Sequence, residues 1–203
     1  MPDTIAPLRQ FVIDVTKIVD TPRDEASLLA AISVPLAKLI ENDDWLPAAF
    51  ATPHPQYYQQ YLLYCDPLER FSVQSFVWGP GQSTPIHNHT VWGLVGVLRG
   101  AERCQRYCQD ATGQIIKDGP SVVLKEKEID AVSPTIGDLH TVSNARSDQP
   151  SISIHVYGAN IGNAIRRVFK EGSAQEKPFV SGYSSDVTPN LWNRADDIRA
   201  SLS

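Results

Sequence analysis

Two histidines one residue apart are the first side chains in this sequence that could do chemistry. They are His87 and His89 of "GPGQSTPIHNHTVWG". On an extended strand, residues two apart project from one face, so both imidazoles can approach a single ion. Gly81 and Pro85 shape the chain on the approach. "GDLHTVSN" then offers His140 on a later strand-like run. Three imidazoles converging from different strands make a facial metal site with open positions. Each histidine alone reads as easily as a turn or core residue. The close pair together with a third favours the metal.

A second stretch, "SISIHVYG", alternates strictly from Ser151 to Gly158. Ile152, Ile154 and Val156 share one face, and Ser151, Ser153, His155 and Tyr157 share the other. The polar row can face water, as on many antiparallel strands. That is the commoner reading of such a pattern; the alternative is a polar cavity, where Ser, His and Tyr pass protons or orient a ligand. The alternation alone leaves both open.

These side chains need strands to position them, and the chain supplies many. "QYLLYC" and "RFSVQSFVW" flank a "DPLE" turn and read as a hairpin. "VWGLVGVL", "ERCQRYC", "SVVLK", "IDAVS", "LHTVS", "SISIHVYG" and "IRRVF" follow at short intervals, parted by Gly, Pro, Asp and Asn. That spacing predicts a mainly β sandwich or barrel. Before it, residues 21–43 read as helix. Thr21 is the expected cap, Pro22 suits the first position, and Asp24 and Glu25 suit the positive end of the dipole. Leu28, Leu29, Ile32, Leu36, Leu39 and Ile40 recur at helical spacing, and Pro35 should kink or split the run. Residues 181–203, rich in Ser, Asp and Asn, are expected to be irregular and to pack outside.

Composition excludes several function classes. The net charge is −5 with no long basic run, which argues against nucleic acid or an anionic membrane as partner. No stretch has the length and apolarity of a signal peptide or a bilayer span. Cys65, Cys104 and Cys108 are odd in number and lack framework spacing, so a reducing, cytoplasmic setting is expected. The 203 residues suit one domain: a helical segment over 1–56, a barrel over 57–180, and a tail over 181–203. Oligomeric state is not legible.

Gly81, His87, His89, Gly93 and Gly100 together resemble the first cupin motif, and Gly137, His140 and Asn144 resemble the second. Cupins commonly carry a Glu ligand where this chain has Gly93. The sequence therefore resembles the three-histidine thiol dioxygenases of the cysteine dioxygenase type, from about Gln60 to Arg166. Within that group, "TPIHNHTVWG", "SISIHVYG" and "AIRRVF" are most similar to the bacterial 3-mercaptopropionate dioxygenases. The resemblance implies a cupin, jelly-roll-type β-barrel with N-terminal α-helices packed outside, and Fe(II) held by His87, His89 and His140. Three neutral imidazoles leave the ion its full charge, which favours an anionic thiolate partner. Zinc could take the same ligands.

The resemblance further implies roles for the polar row. Tyr157 would reach toward the reacting sulfur or oxygen, His155 would bond Tyr157, and Ser153 would fix the tautomer of His155. A carboxylate anchor is expected at Arg166, with Arg167 on the opposite face. "YYQQYLLYC" has no Arg where mammalian-type cysteine dioxygenases place one, and Gln60 is the match there. Gly93 also stands where some relatives carry a Cys joined to the Tyr, so no such cross-link is expected. Cys104 and Cys108 read as structural, and Trp78 and Trp92 as core, with Trp92 a possible pocket wall. The implied function is addition of both atoms of O₂ to the sulfur of a small thiol carboxylate, foremost 3-mercaptopropionate to 3-sulfinopropionate. Cysteine as substrate, and a metal-binding cupin without turnover, are the alternatives.

Overall fold

The structure, a computed structural model, describes residues 5–190 and 193–202. Two helices lead: α1 (Ala6–Val19) and α2 (Glu25–Leu39). The α2 N-cap is Asp24, not Thr21: its backbone is extended and its carboxylate accepts from Ser27 N at 2.8 Å. A carboxylate satisfies an orphan N–H and also meets the dipole, which a Thr at position 21 is too far upstream to do. Pro35 neither splits the helix nor ends it, since α2 runs on to Leu39.

Among the described residues twelve strands follow: β1 (Gln59–Cys65), β2 (Ser72–Trp78), β3 (Ile86–His87), β4 (Gly93–Arg99), β5 (Ala101–Gln109), β6 (Ile115–Lys117), β7 (Val122–Lys125), β8 (Ile129–Val132), β9 (Leu139–Asn144), β10 (Ser151–Tyr157), β11 (Arg166–Phe169) and β12 (Glu176–Phe179). They form one sheet in the order β1-β2-β10-β4-β8. A second runs β12-β11-β3-β9-β5-β6, with β7 also paired to β5. The expected strands are present. Sequence periodicity did not mark β6 and β12, which are too short to show a period.

The central strand β10 explains the architecture. Ile152, Ile154 and Val156 are fully buried in one apolar cluster with Phe11 and Val15 of α1 and Ile32 and Leu36 of α2. Helices thus cover the outer face of the first sheet. The polar row on the other face is buried as well: Ser153 is 0% exposed, and His155 and Tyr157 are 2% exposed. The row is therefore not a solvated strand face, and two of its members, His155 and Tyr157, line a cavity.

The tail differs from expectation. It carries a short helix, α3 (Ala195–Ser201), with Asp196 and Asp197 in its first turn. It also reaches inward. Tyr183 donates to Asn160 Oδ1 at 2.6 Å, and Ser184 Oγ accepts from Gln60 N at 2.8 Å. Residues 1–4 of the helical segment and 191, 192 and 203 of the tail lie outside the described residues.

Candidate functional site

The barrel brings the three histidines together. His87 on β3 lies directly opposite His140 on β9, and His89 follows two residues after His87. Their ring centroids are mutually 4.8 Å apart. One ligand atom from each lies within 4.8 Å of the others, close enough for one ion to reach all three. Each ring's Nδ1 is already engaged. His87 Nδ1 lies 3.1 Å from Pro85 O, His89 Nδ1 lies 2.9 Å from Asp138 Oδ1, and His140 Nδ1 lies 3.5 Å from Cys104 Sγ. For His87 and His89, whose Nδ1 faces an oxygen acceptor, the favoured tautomer has Nδ1 donating and Nε2 carrying the lone pair a metal needs. His89 Nε2 is buried with no hydrogen-bond partner, an orphan that an ion would satisfy.

Burial also sets the charge of this cluster. It holds His87 down to about 4, helped by the nearby Arg166 cation, and pushes His89 and His140 well below the ordinary histidine range. All three are neutral at pH 7, as ligands must be. The residues present therefore fit a divalent ion with imidazole preference.

Asp138 has no counterpart in the sequence reading, yet it ties the site together. Its Oδ1 accepts from His89 N at 2.9 Å as well as facing the ring, and its Oδ2 accepts from Thr90 N at 2.9 Å. Thr90 sits at φ +64°, a strained conformation for a β-branched residue, and these bonds hold it there. The only sequence signal was position: Asp138 is two residues before His140. Cys104 likewise does more than fill space, because its sulfur backs His140. The three cysteines are unpaired.

Beside the histidines lies a cavity of about 200 Å³. Its lining includes Gln60, His87, His140, His155, Tyr157 and Arg166. Trp78 is a core residue, as expected, and also walls the cavity, whereas Trp92, the expected candidate for a wall, does not line it. His155 Nδ1 lies 2.8 Å from Tyr157 Oη, and His155 Nε2 lies 2.7 Å from Ser153 Oγ, so the row is one continuous chain of hydrogen bonds. Phe76 covers His155 at 4.1 Å between rings, and burial pushes that imidazole down to about 3. Burial raises the Tyr157 phenol above its ordinary value, so it stays protonated. Tyr157 pairs with Gly93 across the sheet, and its ring stacks on His89 at 5.2 Å.

Arg166 and Arg167 alternate as expected, the first buried at 4% exposure and the second exposed. Arg167 meets Glu176 at the surface. Arg166 has no acidic partner among the described residues. It donates to Ser181 Oγ at 2.6 Å, lies 4.7 Å over the Phe179 ring, and leaves Nε unpaired. Ser181 belongs to the tail that was expected to stay outside. Gln60 Nε2 is also buried and unpaired. The Asp138 carboxylate acts on Arg166 without forming an ion pair with it; a buried cation with no ion pair is costly, and an anion entering the cavity would relieve it.

Residues 4–167 match the family described as cysteine dioxygenase type I, so the likeness extends upstream of Gln60 through both helices. Solved structures similar to this chain include a conserved protein with a double-stranded β-helix domain from Klebsiella pneumoniae. It is 19% identical, with a TM-score of 0.45, over 61% of this chain and 94% of that one. An RmlC-like cupin from Methanocaldococcus jannaschii is 14% identical, with a TM-score of 0.40, over 54% and 87%. A cupin 2 conserved barrel protein from Salinispora arenicola is 18% identical, with a TM-score of 0.41, over 57% and 86%. No helix among the described residues is long and apolar enough to cross a membrane.

Proposed function

This chain belongs to the cysteine dioxygenase type I family, and from that premise we propose that it oxidises 3-mercaptopropionate to 3-sulfinopropionate, with Fe(II) held by His87, His89 and His140. The observation that carries the choice of substrate is the charge of the cavity. Arg166 is a buried cation with no acidic partner among the described residues, and none of the residues lining the cavity is Asp or Glu. A carboxylate finds a guanidinium there, but an ammonium finds no counter-charge. A thiol carboxylate without an amino group suits that lining better than cysteine does.

Fe(II), when bound, would supply the place where thiolate and O₂ meet and the route by which the thiol's electrons reach oxygen. The balance is one thiol and one O₂ to one sulfinic acid, so no other reductant is needed. The protein's own residues then bind and orient. Arg166 holds the carboxylate, with Ser181 fixing one of its nitrogens. Gln60 Nε2, free of other bonds, donates to the same carboxylate. Tyr157 presents its hydroxyl to the reacting end of the cavity, with His155 and Ser153 behind it. The walls of Phe76, Trp78 and Val142 exclude water, which strengthens each of these contacts. We read the helices, barrel and tail as one functional unit in a cytoplasmic enzyme.

Oxygen uptake by protein of known iron content tests this, with 3-mercaptopropionate, L-cysteine and cysteamine compared. The expected result is one O₂ per sulfinate and the highest kcat/KM for 3-mercaptopropionate. Arg166→Met should cut that value about 30-fold or more, as loss of one partner of a buried charge pair does, and should leave cysteamine nearly unaffected. Highest activity with cysteine would overturn the substrate reading. No uptake with any thiol would overturn the enzyme reading in favour of a binding protein.

A further inference from the structure

Behind the Ser153–His155–Tyr157 row lies a carboxyl group that the proposed reaction does not use. Glu102, on β5, is 1% exposed, and neither of its oxygens has a hydrogen-bond partner. Two other buried polar atoms, Trp78 Nε1 and Ser151 Oγ, are unpaired as well. These atoms belong to one cluster: Glu102 pairs in register with Asn144, whose amide donates to Trp78 O, and Trp78 pairs in turn with Ser151. Trp78, Ser151 and Ser153 all act on the Glu102 carboxyl, and none of them forms a hydrogen bond to it. Two potential donors thus surround two vacant acceptors, and Ser153 joins the cluster to the row.

Among the described residues no charge compensates Glu102. From β10 it faces Ser151 and Ser153, and from β2 it faces Trp78. Its register neighbours on β7 and β9 are Leu124 and Asn144. The ionisable groups that feel its charge are Tyr157 and Cys104, both held protonated by burial. Burial alone therefore pushes Glu102 up to about 8.

We propose that Glu102 is a positioning residue that sets the direction of the Ser153–His155–Tyr157 hydrogen bonds, and so decides whether Tyr157 donates or accepts at the cavity. This rests on the reading of Tyr157 as the residue at the reacting end. The logic follows from what each group can donate. A protonated Glu102 donates to Ser153 Oγ. Ser153 then donates to His155 Nε2, His155 Nδ1–H donates to Tyr157 Oη, and the Tyr157 hydrogen is free for the substrate. An ionised Glu102 only accepts. Ser153 then donates to Glu102, His155 Nε2–H donates to Ser153, and Tyr157 spends its hydrogen on His155 Nδ1. Glu102 and the row together hold one proton fewer, the row itself keeps all three of its hydrogens, and Tyr157 faces the cavity with lone pairs only.

The test has two arms. In metal-free protein labelled with ¹⁵N at histidine, the ring nitrogens of His155 report its tautomer as pH is raised from 6 to 10. The expected result is a switch from Nδ1–H to Nε2–H in step with loss of the infrared carbonyl band of a buried carboxylic acid. Glu102→Gln should abolish both, because its amide donates at every pH. In iron-loaded protein, kcat should fall about tenfold per pH unit above the Glu102 titration, and Glu102→Gln should remove that limb. A His155 tautomer that ignores pH, or that switches with no carboxyl titration in the wild-type protein, overturns the inference. The second criterion stands even if Glu102→Gln does not fold. The tautomer arm needs no turnover, so a switch in an inactive protein would sink the dioxygenase reading and keep the row.

Discussion

Gly93→Ala is the substitution whose effect the structure makes most specific. Gly93 pairs with Tyr157 across the sheet, and the Tyr157 ring occupies the space a side chain would need. A Cβ there would lie 2.5 Å from Tyr157 Cδ1, 2.6 Å from Cε1 and 3.2 Å from Val132 Cγ2. Carbon atoms prefer about 3.5–4.0 Å, so the ring must retreat by about 1 Å. The Tyr157–His155 bond is 2.8 Å and would stretch beyond hydrogen-bonding reach. The ring also stacks on His89, so the retreat is felt at a candidate metal ligand. Overpacking of this kind costs about 1–3 kcal/mol, and the lost hydrogen bond adds about 1 kcal/mol. In a chain of this size that lowers Tm by about 5–15 °C. A 1 Å misplacement of a positioned group also lowers turnover about 100-fold. Thermal unfolding of the metal-free protein reads the first effect, and oxygen uptake reads the second. The control is the same substitution in a Tyr157→Ala background, where the ring is gone and the added methyl should cost well under 1 kcal/mol. Wild-type Tm and turnover for Gly93→Ala, or equal losses in both backgrounds, would refute the argument.

Tyr157→Phe removes one hydroxyl from a row that is otherwise intact. It should lower kcat by about 10–1,000-fold while iron content by metal analysis stays at the wild-type level; loss of iron would show that the hydroxyl supports the metal centre instead. Asp138→Asn weakens the grip on His89 Nδ1 and on the strained Thr90, so iron affinity should fall about 10–100-fold in a chelator competition. The buried histidines fix the acid limb of stability. His87 and His155 are held to about 4 and about 3, below the unfolded value of about 6.5, so the unfolded chain binds more protons between those limits. Their contribution is fully present above pH 6.5 and is lost as pH falls toward 4 and below. The urea midpoint of metal-free protein should therefore drop between pH 7.5 and pH 5. A midpoint that is flat or rises over that range would contradict the burial of neutral imidazoles.

Much of this protein was legible in the sequence because its signals are local. Alternation fixed which residues of β10 share a face, and the two-residue spacing of His87 and His89 fixed that both could reach one ion. Arg166 and Arg167 were separable by strand periodicity alone. What the sequence could not reveal depends on distance through space. Asp138 and Cys104 matter because folding sets them against His89 and His140, 49 and 36 residues away. Ser181 supports Arg166 because the tail turns inward, and polar composition had suggested the opposite. Gly93 was notable in the sequence for the Glu and Cys it lacks. The barrel adds the reason, since the Tyr157 ring fills its Cβ space. Nothing in the sequence singles out Glu102, which the fold buries without a hydrogen-bond partner. Local pattern depends on covalent geometry, which the sequence carries. Burial, charge compensation and second-neighbour contacts depend on which strands the barrel lays side by side, and only the tertiary structure decided them.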